Sequence, residues 1–321
     1  MTVNGDNGWR CALVLVLALA ALPIARPVVA AACPAADMDA LAWLDKMSRS
    51  MQLLSYHGVV TLQRGDEMQA MAVSHSVAGG LATERLTELT GQGAEVVRID
   101  HPLDCVHPGH QLLQLGARLQ AGDCGVAQFY RFSMGDGELV AGRRSMRVRI
   151  EPRDMYRYGY IMELDNETGL LLRSLTVGRG DEVLEKLQFA SLVYNPDTPP
   201  EPGTRLVHKA HHPESDARTL SSGGGSPGWA VGWVPDGFTP TDVPTTVSER
   251  RTYTDGLAVF SVFLEILSED IRPGEGVVRS GGTISYTRGM HMSGVPVLVT
   301  VIGEVPLNTA RMVADSIREQ R

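Results

Sequence analysis

Between residues 37 and 54, apolar residues recur at steps of three and four, which is the spacing of one face of an α-helix. Asp37 stands just before this stretch, and its carboxylate can accept hydrogen bonds from the first free amides. We therefore expect an amphipathic helix with Asp37 as its N-cap. The apolar stripe consists of Leu41, Leu44, Met47, Met51 and Leu54.

After Tyr56 the apolar pattern takes a period of two or becomes rich in branched residues, which is typical of β-strands. Turn-forming residues at 64–67, 166–169 and 179–182 separate several of these runs. This pattern predicts a large antiparallel meander that follows one early helix. The predicted strands are 58–62, 70–77, 94–100, 146–150, 158–164, 170–177 and 184–194.

Residues 195–228 interrupt the strand pattern with six prolines and a Gly/Ser tract, a composition that disfavours a packed core and indicates a linker. Beyond it, strands are predicted at 249–253, 257–267, 276–287 and 295–302. A last helix follows Pro306, with Ala310, Val313, Ala314 and Ile317 on one face. The predicted segments are a signal peptide at 1–32, a first domain at 33–196, a linker at 197–228 and a second domain at 229–321.

The predicted fold class is α+β, with a large sheet and a helix followed by a smaller α+β domain. A single helix cannot cover a sheet of seven or more strands, so the excess predicts a curved half-barrel with an apolar concave face that admits a ligand. A core filled by side chains is the alternative, and the pattern leaves both open.

Composition and charge limit the classes of function that the protein can have. The chain has 321 residues, of which 43% are hydrophobic, and its net charge of -8 argues against a general affinity for nucleic acid or anionic membranes. Arg10 precedes an apolar run at 11–22, and small residues at 30–32 precede Cys33. This arrangement predicts a cleaved export signal, because the run is too short to span a bilayer.

Three cysteines follow the predicted cleavage site. In an oxidising compartment, Cys105 and Cys124 are expected to form a disulfide. Cys33 is then left over, either as a lipidated first residue or as an unpaired thiol.

Motifs of catalysis are weak. Residues 224–228 match the G-x-S-x-G pattern around Ser226, but no strand precedes them, so a linker is the better interpretation. Neither His208, His211 and His212 nor Cys105 with nearby histidines has the paired spacing of a zinc site. The sequence therefore predicts no enzyme, no catalytic residue, no metal and no cofactor.

Large aromatic residues gather at the start of the second domain, within segments rich in turns. Such residues serve as interface anchors or as core, and both interpretations stay open here. The candidates for partner binding are Trp229, Trp233, Phe238 and Tyr253, together with Asp255 in the following turn.

Several segments resemble the MucB/RseB family of periplasmic regulators of the envelope-stress sigma factor. The second domain carries WVPDGF at 233–238, YTDGL at 253–257, FSV at 260–262 and IGEVP at 302–306. The first domain carries WL at 43–44, YHG at 56–58, RYGYI at 157–161 and DNET at 165–168. None of these segments is a catalytic motif. It is their order and spacing that carry the resemblance, which covers nearly the whole mature chain.

The resemblance implies a periplasmic protein whose first domain is similar to the LolA/LolB lipoprotein carriers. It also implies that the protein binds the periplasmic domain of a membrane anti-sigma factor, hinders its proteolysis, and is released by lipid or lipopolysaccharide fragments. Whether the protein forms a homodimer is left open. Two alternative functions also stay open: a lipid or lipoprotein carrier without a signalling partner, and a hydrolase with an unrecognised site. The residues proposed to line a lipid cavity are Met68, Met71, Phe129, Tyr158, Tyr160 and Met162.

Overall fold

The computed structural model describes residues 37–91, 94–102, 125–195, 207–209, 228–241, 250–268 and 274–319. Several predictions fall outside these ranges, namely those on the export signal at 1–32, Cys33, Cys105, Cys124, Ser226, His211 and His212.

The first helix, α1, spans Met38–Leu53. One carboxylate oxygen of Asp37 accepts hydrogen bonds from the amides of Asp39 and Ala40, both at 3.1 Å, so the predicted N-cap is confirmed. The predicted apolar stripe is buried at Leu41, Leu44 and Met47, and only its end, at Met51, becomes exposed.

A ten-stranded sheet, the large sheet, follows α1. Its first nine strands pair antiparallel, and the short β10 pairs parallel with β4, so the strand order is β10-β4-β3-β2-β1-β9-β8-β7-β6-β5. The strands are β1 Tyr56–Arg64, β2 Glu67–Ala78, β3 Leu81–Glu88, β4 Glu95–Pro102, β5 Tyr130–Val140, β6 Arg143–Pro152, β7 Gly159–Asp165, β8 Leu171–Val177, β9 Val183–Tyr194 and β10 Val207–Lys209.

The seven predicted strands of this part are confirmed, but the prediction lacked β3 and β5. β3 carries few apolar residues, so its alternation is weak. β5 contains Gly135, Asp136 and Gly137, which are typical of a turn, and the structure uses them for a bulge in the pairing with β6. β10 also shows that part of the predicted linker pairs with an edge of the sheet.

A second group of strands, the small-sheet region, spans 229–319. Residues 276–287 form two strands instead of the one predicted, because Gly281 takes a positive φ of 59° and starts a turn. The six-stranded sheet has the order β12-β13-β14-β17-β16-β15, and β11 pairs with β18. The elements are β11 Trp229–Val231, β12 Thr239–Pro240, β13 Arg250–Thr254, β14 Val259–Ile266, β15 Glu275–Ser280, β16 Thr283–Met292, β17 Val295–Gly303, α2 Leu307–Asp315 and β18 Ile317–Glu319.

The core of the small-sheet region lies between its sheet and α2. The predicted helix after Pro306 is confirmed as α2, and its residues Ala310, Val313 and Ala314 are fully buried. Ile317, predicted on the same helical face, instead lies in β18, because the helix ends at Asp315. The predicted fold class, a large antiparallel sheet with a helix followed by a smaller α+β region, is confirmed. Among the described helices, none combines the length and apolarity needed to cross a membrane.

Candidate functional site

The two faces of the large sheet differ in chemistry. Cross-strand pairing aligns Phe132, Ile150 and Tyr160 on one face, and α1 packs Leu44 and Met47 into the same apolar cluster. We call this the inner face. The alternation of side chains along each strand places the intervening residues on the opposite, outer face.

The outer face carries a network of ion pairs. Arg147 Nε donates to Glu163 Oε1 at 2.7 Å, although the Glu163 side chain is almost fully buried. Arg173 and Arg147 both donate to Glu138, at 2.7 and 2.8 Å, and these hydrogen bonds lower the pKa of that carboxyl. The outer face of β5–β8 is therefore polar, whereas the apolar side chains of these strands lie on the inner face.

The inner face opens progressively with distance from α1. Beyond the helix, Val60 and Phe189 are still buried, whereas Met71 is half-buried. Further along, the cross-strand partners Leu86 and Val96 are 36% and 59% exposed. This part of the inner face therefore offers apolar surface that α1 does not bury.

At its other end, the inner face meets the small-sheet region through a buried ion pair. Asp255 Oδ2 accepts hydrogen bonds from Arg157 Nε and from the Tyr130 hydroxyl, both at 2.8 Å. The side chains of Arg157 and Asp255 have no solvent exposure. Burial, followed by the charge of Asp255, raises the pKa of Tyr130 well above 10, so its hydroxyl stays a donor.

The Arg157 guanidinium makes further contacts. It also donates to a carboxylate oxygen of Asp154 and to the backbone carbonyl of Asp236. Its Cζ atom lies 4.7 Å from the centroid of the Phe129 ring and 5.0 Å from that of the Phe238 ring, within the range of cation–π attraction. Arg157 thus joins side chains and backbone from both regions at a single point.

A turn at Gly237 makes this approach possible. Gly237 has a φ of 89°, and a Cβ at this position would collide with the ring of Phe129. Glycine satisfies both the backbone conformation and the close contact.

An open cavity of about 660 Å³ lies beside this junction, lined by residues of both regions, among them Tyr158, Tyr160, Arg279 and Leu307. Within the described residues, the buried hydroxyl of Tyr160 has no hydrogen-bond partner. Burial, and then the carboxylates of Glu304 and Asp255, raise the pKa of Tyr160 well above 10. The cavity therefore borders a neutral hydroxyl that is free to donate.

A second contact between the regions lies on the same row of the inner face. Thr176, the cross-strand partner of Tyr160, stands against Gly282. Nearby, Glu304 has a raised pKa, first because it is buried and then because Glu185 repels its charge, while Arg64 acts in the opposite direction. The small-sheet region thus covers this row at two separate points.

The six residues predicted for a lipid cavity do not form one group. Tyr160 and Met162 lie in the cluster under α1, and Phe129 packs against it, whereas Met71 belongs to the cluster around Val60. Tyr158 is buried at the cavity beside the junction. Met68, by the alternation of β2, lies on the outer face and is 63% exposed. Their role in binding lipid stays a prediction.

The five residues predicted for partner binding lie mostly inside the molecule. Trp229, Phe238 and Tyr253 are buried in the core of the small-sheet region. Trp233 packs against that core and has an edge contact with the ring of Tyr156, with centroids 5.3 Å apart. Asp255 is the buried partner of Arg157, as described above. Their contact with a partner protein stays a prediction.

Sequence reasoning missed Arg157, Tyr130 and Leu257 as junction residues. Leu257 follows Asp255 and packs against the cluster under α1, although it belongs to the small-sheet region. The only available signal was Asp255, a charged residue that needs a partner if it is buried. The sequence does not show that this partner is Arg157, which lies 98 positions away.

These features define a class: a β-rich protein in which a large amphipathic sheet is joined to a smaller α+β region. The MucB/RseB N-terminal domain model matches residues 39–208, and the MucB/RseB C-terminal domain model matches residues 224–318. The chain belongs to the MucB/RseB family. The exact domain boundaries predicted above stay a prediction.

Two curated relatives are regulatory proteins of sigma factors. The sigma factor AlgU regulatory protein MucB of Pseudomonas aeruginosa is 32% identical over 294 residues, covering 88% of this chain and 92% of the relative. The sigma-E factor regulatory protein RseB of Haemophilus influenzae is 24% identical over 298 residues, with coverage of 88% and 92%.

Solved structures agree with this assignment. MucB in complex with MucA(peri) matches with a TM-score of 0.68 and 30% identity, covering 88% of this chain and all of that one. A crystal structure of MucB matches with a TM-score of 0.62 and 29% identity, covering 88% of this chain and 98% of that one. The family consists of sigma factor regulatory proteins, in agreement with the prediction that the chain is not an enzyme.

Proposed function

We propose that this protein is a periplasmic negative regulator that binds the periplasmic domain of a membrane anti-sigma factor and shields it from proteolysis. The observation that carries the proposal is the likeness to MucB in its complex with MucA(peri), which extends over 88% of the chain. Binding to a periplasmic domain would place the protein in the periplasm, where the predicted export signal would deliver it.

Lipid or lipopolysaccharide fragments would release the partner. The inner face of the large sheet supports this part, because it presents half-buried and exposed apolar side chains such as Met71 and Val96 beyond the strands that α1 covers. An acyl chain laid on this face would remove apolar surface from water. Release follows if lipid binds better to a state with low affinity for the anti-sigma domain, since linkage is reciprocal.

The test reconstitutes the three components. The full mature chain is mixed with the periplasmic domain of the anti-sigma factor from the same organism and with the protease that starts its degradation. We expect a complex on size exclusion and slower cleavage when the chain is present. An equal cleavage rate with and without the chain would contradict the proposal.

A lipid or lipoprotein carrier is the other candidate function, and the apolar inner face favours it too. The same reconstitution separates the two functions, because a carrier transfers lipid between vesicles but leaves anti-sigma cleavage unchanged. The small-sheet region argues for the regulator, since a carrier would need only the large sheet.

A further inference from the structure

The turn at 254–258, between β13 and β14, reaches out of the small-sheet region. Its shape is fixed from within, because Asp255 Oδ1 accepts hydrogen bonds from the amides of Leu257 and Ala258 at 3.0 and 2.8 Å. The Thr254 hydroxyl accepts from the Gly256 amide at 3.0 Å and donates to the Ala258 carbonyl at 2.9 Å. The turn is therefore a preformed projection rather than a loose loop.

This projection ends in the large-sheet region. Leu257 packs against the apolar cluster under α1, which includes Tyr130, Phe132 and Tyr160. The other carboxylate oxygen of Asp255 binds Tyr130 and Arg157. A side chain of one region thus occupies the end of the inner face of the other.

The chemistry of this contact favours reversible docking. The core of the small-sheet region is apolar, whereas the junction depends on a buried ion pair between Arg157 and Asp255. Burying two charges costs much of what their attraction contributes, so such a pair fixes one arrangement without greatly favouring it over a hydrated, separated one. On withdrawal, both charges would regain water.

The place that Leu257 occupies is suited to another apolar occupant. The surrounding cluster borders the open cavity of about 660 Å³ beside the junction, because its members Ile150 and Tyr160 also line that cavity. Within the described residues, the Tyr160 hydroxyl is buried and unpartnered, and it is able to donate to a carbonyl or carboxylate oxygen on an entering chain.

We propose that the 254–258 turn is an internal plug, and that Leu257 and an acyl chain compete for the end of the inner face. When the plug is docked, the two regions are held in the arrangement seen here. When an acyl chain displaces it, the Arg157–Asp255 pair separates and the small-sheet region is freed to move. This inference rests on the proposed function for the class of ligand, but the plug itself is read from the junction.

An engineered disulfide between the two regions, here called the lock, would hold the plug in its docked position. A Cβ added at Gly282 would lie 3.4 Å from the Cβ of Thr176, close to the separation of about 3.8 Å that is usual in disulfides. Gly282 is not among the residues with positive φ, so a side chain there does not strain the backbone. The double variant Thr176→Cys/Gly282→Cys would therefore link the two regions when oxidised.

Binding of radiolabelled hexadecanoic acid is measured by equilibrium dialysis. We expect the oxidised double variant to bind at least about tenfold more weakly than its reduced form, because the lock removes the binding-competent state. The wild type and the Thr176→Cys variant, oxidised and reduced in the same way, control for the natural cysteines. Equal affinity in the two redox forms, or no binding to any variant, would overturn the plug.

A second variant tests the plug without a lock. Leu257→Ala should bind hexadecanoic acid several-fold more tightly than the wild type, since the competing side chain is shortened. Leu139→Ala, at a site that is 69% exposed, is the matched control and should leave the affinity unchanged. A weaker or unchanged affinity for Leu257→Ala contradicts competition.

A separate measurement distinguishes failure of the plug from failure of the proposed function. Binding of the anti-sigma periplasmic domain is measured for both redox forms without fatty acid. If neither form nor the wild type binds it, the proposed function fails while the fatty-acid result still decides on the plug. If both forms bind it, and hexadecanoic acid releases it only from the reduced form, both are supported.

Discussion

The two sheets of this protein bury their apolar faces to different degrees. In the small-sheet region, Phe260, Val262 and Tyr286 have no solvent exposure, and α2 seals the core. On the inner face of the large sheet, burial fades from the cluster under α1 to Leu86 and Val96, which are exposed. The small sheet belongs to a fully buried core, whereas the large sheet keeps apolar surface exposed on part of its inner face.

Dimensions explain the difference. α1 has 16 residues and is therefore about 24 Å long. Ten strands at a spacing of about 4.8 Å form a sheet of more than about 40 Å across. The helix consequently covers the strands near β5–β7, and the junction with the small-sheet region covers the ends of that part. What remains of the inner face belongs to neither core.

The largest expected effect lies at the point where the two regions meet. While the turn stays docked, Arg157→Leu leaves the Asp255 carboxylate buried without its cation, so the free energy of unfolding should fall by up to about 3–5 kcal/mol, the upper limit being set by the cost of withdrawing the turn into water. Urea unfolding of the full chain measures this change.

The matched control for that change is Arg149→Leu. Arg149 pairs with Glu151 at 2.9 Å and also with Asp181, both on the surface, and each such pair contributes less than about 1 kcal/mol. If the two substitutions destabilise the chain equally, the Arg157–Asp255 pair does not hold the junction. The double variant Arg157→Leu/Asp255→Asn should recover part of the loss, because no charge then stays buried alone and the amide oxygen still accepts from the amides of Leu257 and Ala258.

A matched pair of valines compares the two sheets directly. Val262→Ala removes two methyl groups from a fully buried site and should cost about 2 kcal/mol of unfolding free energy. Val96→Ala makes the same change where the side chain is 59% exposed, and should cost less than about 0.5 kcal/mol. Urea unfolding curves of both variants test this, and similar losses would mean that the inner face near β4 is as closed as the small core.

The sequence predicted what depends on local periodicity. The three-and-four spacing around Leu44 located α1, and the turn residues at 64–67 located the β1–β2 hairpin. The β5 strand was not predicted, because its Gly135 and Gly137 are typical of turns. Only the pairing with β6 shows that these residues form a bulge within a strand. Local signals fail where the backbone departs from a regular strand.

The candidate site was harder to predict than the fold. Tyr253 and Phe238 read equally well as core or as interface anchors, and the structure places both in a core cluster. The role of Asp255 at the junction depends on Arg157 and Tyr130, which are far away in sequence and carry no pattern that links them. Contacts between the two sheets do not change the periodic pattern of apolar residues in either sheet, so the sequence does not reveal them.

The smallest expected effect is a pH dependence of opposite sign in the two regions. Burial alone would raise the pKa of Asp165 in the large sheet, but hydrogen bonds from Arg143 and Tyr194 outweigh it and hold that pKa below 3.8. This carboxylate therefore contributes stability above pH 3.8, and the contribution is lost as the pH falls through its lowered pKa.

Glu304, in the small-sheet region, behaves in the opposite way. Its pKa is raised above 4.5, so its contribution is present below pH 4.5 and is lost as the pH rises through the raised value. Glu304→Gln should therefore be more stable than the wild type at neutral pH, by less than the effect of Val262→Ala, with the difference vanishing towards pH 4. Asp165→Asn should be less stable than the wild type at neutral pH. Urea unfolding at several pH values measures both, and a common sign would show that the carboxylate of Glu304 is solvated rather than held beside Glu185.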